Sequence, residues 1–130
     1  MTFLELFENA LHAISETATN GDTSDYEERA SYILATFCTQ CAGLDHRYRS
    51  AMGDCSQPKA DATYVALSET FPLSEIFAPP AIYYLSAMLT LDENETMSEK
   101  FFELYSDALA SIQASIPCSC KPIEDRYAMI

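Results

Sequence analysis

The stretch that decides the fold is SDYEERASYILATFCTQCAGLDHRYR, residues 24–49. Its apolar side chains recur at steps of three and four throughout, which is the spacing of one face of an α-helix. Ser24 to Glu27 has the form of a capping box at the start, and Gly53 is a plausible terminator. The apolar stripe consists of Tyr26, Ala30, Ile33, Leu34, Phe37, Cys38, Cys41, Leu44 and Tyr48.

Two further segments open with a capping box, a hydroxyl residue followed three positions later by a carboxylate. Thr2 to Glu5 begins a first helix that we expect to end near Asn20-Gly21. Thr96 to Glu99 begins a last helix that Pro117 ends. Both segments continue with apolar residues at helical spacing: Phe3, Phe7, Ala10, Leu11, Ile14 and Ala18 in the first, and Met97, Phe101, Leu104, Tyr105, Ala108, Ile112 and Ile116 in the last.

A third helix is predicted to open at Pro79-Pro80, because the first helical turn does not use the N–H that proline lacks. Residues 81–91 are apolar nearly all round, which places this helix at the centre of a bundle or at an interface. Residues 54–78 show no clear period and predict a long loop. Within it, Ala62–Leu67 is predicted as a short strand or an extended arm, and the apolar residues of 71–77 are expected to pin the loop onto the helices.

The sequence therefore predicts an all-α fold, an antiparallel bundle of about four helices with a long mid-chain loop or short extended arm. The bundle domain is expected to span residues 1–116. Residues 117–130 are predicted to form an irregular C-terminal tail with an apolar end, Tyr127 to Ile130.

The chain is strongly acidic, with 7 Lys and Arg against 20 Asp and Glu and a net charge of −13. Such a chain is repelled by nucleic-acid backbones and anionic membranes, so we expect neither specific nucleic-acid binding nor membrane association. The first residues lack a basic segment followed by an apolar run, so we do not expect secretion. The 5 cysteines, an odd number, predict thiols in a reducing compartment.

Cys38 and Cys41 form a C-x-x-C pair, which is one half of many zinc sites. Cys118 and Cys120, or His46, are the candidates for the missing ligands. The separation from the second pair is long, and C-x-C is not the usual second half of a zinc site. Because both cysteines of the first pair fall on an apolar helix face, we predict that they pack as small hydrophobes. Neither a metal nor a cofactor is predicted, and zinc binding stays as an alternative.

No catalytic pattern stands out in the sequence. Glu8, His12 and Glu16 are four residues apart on one helical face, which suits metal ligands but is more typical of solvated ion pairs. No Glu-x-x-His pair elsewhere completes a di-metal site. Nucleophile elbows, oxyanion loops and glycine-rich phosphate cradles are also missing from the sequence. We therefore predict that the protein is not an enzyme.

Arg47-Tyr48-Arg49 is the one basic cluster of this acidic chain. Arginine and tyrosine are enriched at the hot spots of protein interfaces. Cations near the end of a helix also complement the helix dipole, which explains the same residues without a partner. Both interpretations stay open at the level of the sequence.

Residues 71–89, FPLSEIFAPPAIYYLSAML, resemble a pattern of small neck proteins of tailed phages and prophages, the head–tail connector or head-completion proteins. In that pattern, an extended F-P-L stretch precedes a helix of the type A-x-x-Y-x-L-A-x-x-L. An acidic turn, here residues 91–95, and a helix with aromatic and alanine positions, here residues 101–109, follow. Residues 4–14 also resemble the opening helix, and the resemblance is best over residues 65–116.

The resemblance implies a helical bundle that is repeated as a ring between the portal and the tail, with no catalytic site. Its expected partners are further copies of itself and the portal and tail proteins, first in the host cytoplasm and then in the virion neck. An acidic inner wall that repels DNA would let DNA slide through such a ring. The residues that we expect to make contacts are Arg47, Tyr48, Arg49, Tyr64, Phe71, Phe77, Tyr127 and Ile130.

Two alternatives come from other functional classes. The charge fits an acidic decoy that mimics DNA and blocks a host nucleic-acid-binding protein. A mimic needs carboxylates in two rows with phosphate-like spacing, whereas the acids of this sequence are spread over all the predicted helices. The cysteines fit a small zinc-binding helical protein.

Overall fold

The computed structural model describes residues 1–14, 24–60 and 62–117, and the described part contains four α-helices. It has no β-strand, only a single antiparallel bridge between Thr2 and Thr70. The predicted all-α fold is therefore confirmed. The helices are α1 (Phe3–Ala13), α2 (Ser24–Ala51), α3 (Ala78–Thr90) and α4 (Glu95–Ser115), and a short 3-10 helix, Glu75–Phe77, leads into α3.

Helix α3 is the central element, because it packs against α1, α2 and α4. Its predicted place at the centre of the bundle follows from its composition, since a helix that is apolar on most sides must be covered on most sides. Among its buried residues are Pro80, Ala81, Leu85, Ser86, Ala87 and Leu89.

Helices α3 and α4 are joined by the short turn 91–94 and pack along each other, which makes them antiparallel neighbours. Small side chains at this contact allow the two backbones to come close. The buried Ser98 hydroxyl donates to the carbonyl oxygen of Ala87 at 2.8 Å. The helix cap differs from the prediction at Thr96, since Asn94 is the N-cap and its side chain accepts from the backbone N–H of Met97 at 3.2 Å.

The first half of α2 is tied to the α3–α4 hairpin by side chains. The hydroxyl of Tyr26 donates to the carboxylate of Glu93, with oxygen–oxygen distances of 2.6 and 2.7 Å. Arg29 donates to the carbonyl oxygen of Met88 at 3.0 Å. These bonds connect residues 59 and 67 positions apart in sequence and hold α2 against the central hairpin.

The ends of α1 and α2 only partly follow the prediction. Helix α2 ends at Ala51, two residues before Gly53, whose φ of 87° is the left-handed conformation that glycine adopts without strain. The role of Gly53 as terminator is thus confirmed. Helix α1 ends at Ala13, and the predicted end at Asn20-Gly21 lies outside the described residues.

Residues 62–73, which we call the arm, run beside the N-terminus and contain a turn at residues 67–68. The N–H groups of Phe3 and Leu4 donate to the carbonyl oxygens of Glu69 (3.1 Å) and Leu67 (2.8 Å). The N–H of Phe71 donates to Met1 at 2.9 Å. The strand that was one of the two predicted conformations of Ala62–Leu67 is not formed, and the segment is a loop bonded to the N-terminus.

Candidate interaction surfaces

Two predicted contact residues, Phe71 and Phe77, are core residues, and their assignment to a partner interface is wrong. Phe77 is fully buried and its ring meets Tyr48 edge-on at 6.5 Å between centroids. Phe71 packs edge-on against Phe3 at 5.8 Å and stacks on Phe37 at 6.4 Å. Burial of these rings is what fixes the loop onto the helices, as the apolar residues of 71–77 were expected to do.

Arg49 is likewise an internal residue, because its guanidinium is bonded to the protein itself. Its Nε lies 2.8 Å from Oδ2 of Asp45, one helical turn earlier. Its Nη2 donates to the carbonyl oxygen of Pro72 at 2.6 Å, and its Nη1 donates to Ser56 at 3.2 Å. Its donors therefore hold the arm against α2, and the assignment of Arg49 to a partner contact stays a prediction.

The partner of Arg49, Asp45, has a fully buried side chain, whereas that of Arg49 keeps 20% of its surface exposed. Oδ1 of Asp45 accepts from the N–H of Ser74 at 3.1 Å. Apart from the ion contact with Arg49, no donor of the described residues reaches Oδ2. Buried charge is tolerated only when it is paired, so Asp45 and Arg49 form one unit, which we call the clamp.

Arg47 projects from the same helix but is exposed. It makes neither an ion pair nor a hydrogen bond with the described residues. Beside it lies a groove of about 540 Å³ between the C-terminal ends of α2 and α4, which we call the α2–α4 groove. It is lined by His46, Arg47, Ser50, Ala51, Gln113, Ile116 and Pro117.

Two exposed tyrosines lie against each other on the surface of the described residues. Tyr32 on α2 and Tyr64 on the arm expose 52% and 53% of their surface, and their rings meet at 5.2 Å between centroids. The N–H of Val65 donates to Ser31 at 3.4 Å and fixes the two segments side by side. Met1 and Leu4, which bond to the arm further along, are also exposed. We call Met1, Leu4, Tyr32 and Tyr64 the arm surface.

Cys38 and Cys41 are buried within the core of the bundle, as predicted for small hydrophobes. Burial raises the pKa of Cys38 from 9.0 to about 12 and that of Cys41 to about 11. Burial likewise raises the pKa of the neighbouring Tyr105 to about 12. These thiols are therefore protonated at neutral pH, a state that neither attacks electrophiles nor binds metal ions well.

Helix α4 carries a regular series of exposed carboxylates. Glu95, Glu99, Glu103 and Asp107 follow one another at intervals of four residues and are all exposed. With a rise of about 1.5 Å per residue, neighbouring members are about 6 Å apart along the helix axis. We call these four residues the acidic row.

Several predicted candidates lie outside the described residues, namely Glu16, Cys118, Cys120, Tyr127 and Ile130. Within the described ranges, no three His, Cys, Asp or Glu side chains form a cluster that could hold a metal ion. Because two candidate zinc ligands belong to residues 118–130, the zinc hypothesis stays an untested alternative.

Sequence reasoning missed Tyr32 and Asp45, although the sequence contains a signal for each. Asp45 follows Cys41 by four residues and precedes Tyr48 by three, so it falls on the apolar stripe of α2. A carboxylate at such a position predicts a buried charge with a partner. Tyr32 lies off the stripe, and a large aromatic on the solvent side of a helix indicates a contact surface.

Comparison of the chain with protein-family models, with curated proteins and with solved structures finds no match. In the part of the chain that the structure describes, no helix combines the length and the apolar character that crossing a membrane requires.

Proposed function

We propose that this protein is a non-catalytic assembly subunit, a head–tail connector of a phage or prophage that joins portal and tail. The observation that carries the proposal is the arm surface, where the exposed Tyr32 of α2 and Tyr64 of the arm pack against each other, and the exposed Met1 and Leu4 of the N-terminus bond to the arm. Tyrosine is a preferred anchor of protein interfaces, because it buries a large area at a low cost in conformational entropy.

The arrangement of the arm adds support. The clamp bonds to Pro72 and Ser74, and Phe71 is buried, so the arm lies in one position before any partner arrives. A contact surface that is already ordered loses little entropy on binding. The order of an arm, a central helix and a peripheral helix also agrees with the pattern of connector proteins that the sequence resembles.

The proposal expects this gene to lie between capsid and tail genes, beside a gene for a portal protein. The test is whether the chain binds the ring formed by that portal protein. We expect the wild-type chain to bind the portal, and the variant carrying Tyr32→Ala and Tyr64→Ala to bind at least about a hundredfold more weakly, as loss of two aromatic anchors implies. Leu91→Ala, which shortens an exposed side chain in the α3–α4 turn, is the matched control and should bind normally. The proposal would be overturned if the neighbouring genes encode metabolic or defence proteins, or if the wild-type chain does not bind the portal.

A DNA-mimicking decoy is the second candidate, and the acidic row favours it. Carboxylates about 6 Å apart along a helix present a regular line of negative charge to a basic DNA-binding surface. A mimic must displace DNA from a basic DNA-binding protein, and neutralising the row (Glu99→Gln, Glu103→Gln, Asp107→Asn) must abolish the displacement. Equal loss of displacement in a variant with Glu5, Glu8 and Glu75 changed to Gln, which has the same change in net charge, would attribute the effect to net charge alone and reject the mimic.

A further inference from the structure

We propose that the α2–α4 groove of one copy binds the acidic row of a second copy, so that the chain assembles head to tail through α4. This inference rests on the proposed function, since it names the contact between neighbouring subunits of the ring. In this contact, the guanidinium of Arg47 pairs with the carboxylates of the acidic row. Glu103 lies at the centre of that row.

The groove has the properties of a protein contact site. Arg29 and Arg49 are bonded to residues of their own chain, whereas Arg47 has no partner among the described residues. Its guanidinium stands at a groove whose other lining residues include the half-buried Ile116 and the exposed Ala51 and Pro117. An unpaired arginine beside apolar surface is the typical composition of an interface hot spot.

The acidic row is the complementary surface. Glu99, Glu103 and Asp107, together with Phe102 and Ser106, line an open depression of about 590 Å³ on α4. These carboxylates lie on the side of α4 away from the buried Ser98 and Ile112, and they are exposed among the described residues. Phe102 supplies an apolar side chain within the row that matches the apolar lining of the groove.

Other exposed cations of the described residues fit this role less well. Lys59 stands at a cavity of only about 110 Å³, which is too small for a helix face. Lys100 is on α4 itself, one position after a member of the row. Charge complementarity therefore pairs the row with the groove at Arg47.

The two surfaces use different residues of α4, and this determines the type of assembly. Asp107 and Gln113 are six residues apart, about 9 Å along the axis, so the row and the groove do not overlap. A copy that offers its row still has a free groove. Contacts between different surfaces repeat from copy to copy and close into a ring when the rotation allows it.

The test is charge reversal, with self-association measured by light scattering and native mass spectrometry. We expect Arg47→Glu and Glu103→Arg each to weaken self-association roughly tenfold or more, because each replaces an attraction by a repulsion. The double variant, and an equimolar mixture of the two single variants, should both assemble again, because every contact then pairs opposite charges. Lys59→Glu, with the same change in net charge as Arg47→Glu, should assemble as the wild type does.

Thermal unfolding followed by circular dichroism verifies that all variants are folded. Normal assembly of Arg47→Glu, equal weakening by Lys59→Glu, or a double variant that stays dissociated would each overturn the inference. So would a wild-type chain that is monomeric at every concentration. None of these results affects the portal-binding test, so failure of the inference and failure of the proposed function are distinguishable.

Discussion

Asp45 shows how one charged residue on an apolar helix face organises a loop. Its carboxylate is buried, contacts Arg49 at 2.8 Å and accepts from the backbone of Ser74, which precedes the 3-10 helix. The clamp thereby connects the last turns of α2 to the end of the arm. Its value lies in specifying where the arm runs, because paired buried charges contribute little net stability compared with apolar residues of similar size.

Breaking the clamp from one side is therefore expected to be costly. Asp45→Ala leaves the guanidinium of Arg49 without its counter-charge and the N–H of Ser74 without its acceptor, which should lower the free energy of unfolding by about 3 kcal/mol. Urea unfolding followed by circular dichroism measures this. Asp25→Ala removes an exposed partner 4.0 Å from Arg29 and is the control that should change little. Equal stability of the two variants would contradict the role of the clamp.

The buried thiols predict how stability depends on pH. In the unfolded chain, Cys38 and Cys41 lose protons near pH 9.0, whereas in the folded protein they do so near pH 12 and 11. The folded state thus keeps protons that the unfolded state releases, so stability is complete below pH 9.0 and falls as the pH rises through 11 to 12. The expected result is a decline of the unfolding free energy above pH 9.0 that is less steep with Cys38→Ala and Cys41→Ala combined. A free energy that stays constant across this range would contradict the prediction.

At the scale of elements, the start of α4 contains two residues, Asn94 and Thr96, whose side chains could each cap a helix. Asn94 caps the helix, while Thr96 lies inside its first turn. Asn94→Ala should lower the unfolding free energy by about 1 kcal/mol, because the N–H of Met97 loses its acceptor. Thermal unfolding measures this, and Thr96→Ala, which the sequence alone would have selected, should be nearly neutral. A larger effect at Thr96 than at Asn94 would show that the cap is misassigned.

The helices were predictable because each buries one continuous apolar face, and periodicity reports such faces directly. The sequence predicts the start of α4 at Thr96, because Thr96 to Glu99 has the form of a capping box, and it does not show that Asn94, two residues earlier, is the cap. The arm was only partly predictable. Phe71 and Phe77 are apolar without a period, so the sequence could not tell a segment packed on its own core from one that reaches a partner.

The sequence also does not distinguish the environments of the two arginines predicted as contact residues. Arg47 and Arg49 are two positions apart, which on a helix is a rotation of roughly 200°, so they face opposite directions. One is exposed beside the α2–α4 groove, and the other binds Asp45. A charge cluster in the sequence therefore did not show which arginine is available to a partner.

At the scale of the whole molecule, the acidic row and the arm surface lie on different elements. The acidic row lies on α4, the outermost helix of the α3–α4 pair, and the arm surface lies along the arm, α1 and α2. In a ring, this separation would allow one surface to face DNA or a neighbouring copy while the other contacts the portal. An acidic wall repels the phosphate backbone and lets DNA pass without binding.

The central claim is that the chain acts by joining an assembly, and electron microscopy of the full chain mixed with the portal ring encoded beside it tests this most directly. The account predicts an additional ring of density at one end of the portal, present with the wild-type chain and lost with the Tyr32→Ala and Tyr64→Ala double variant. Portal rings that remain bare while the wild-type chain stays unbound would contradict it.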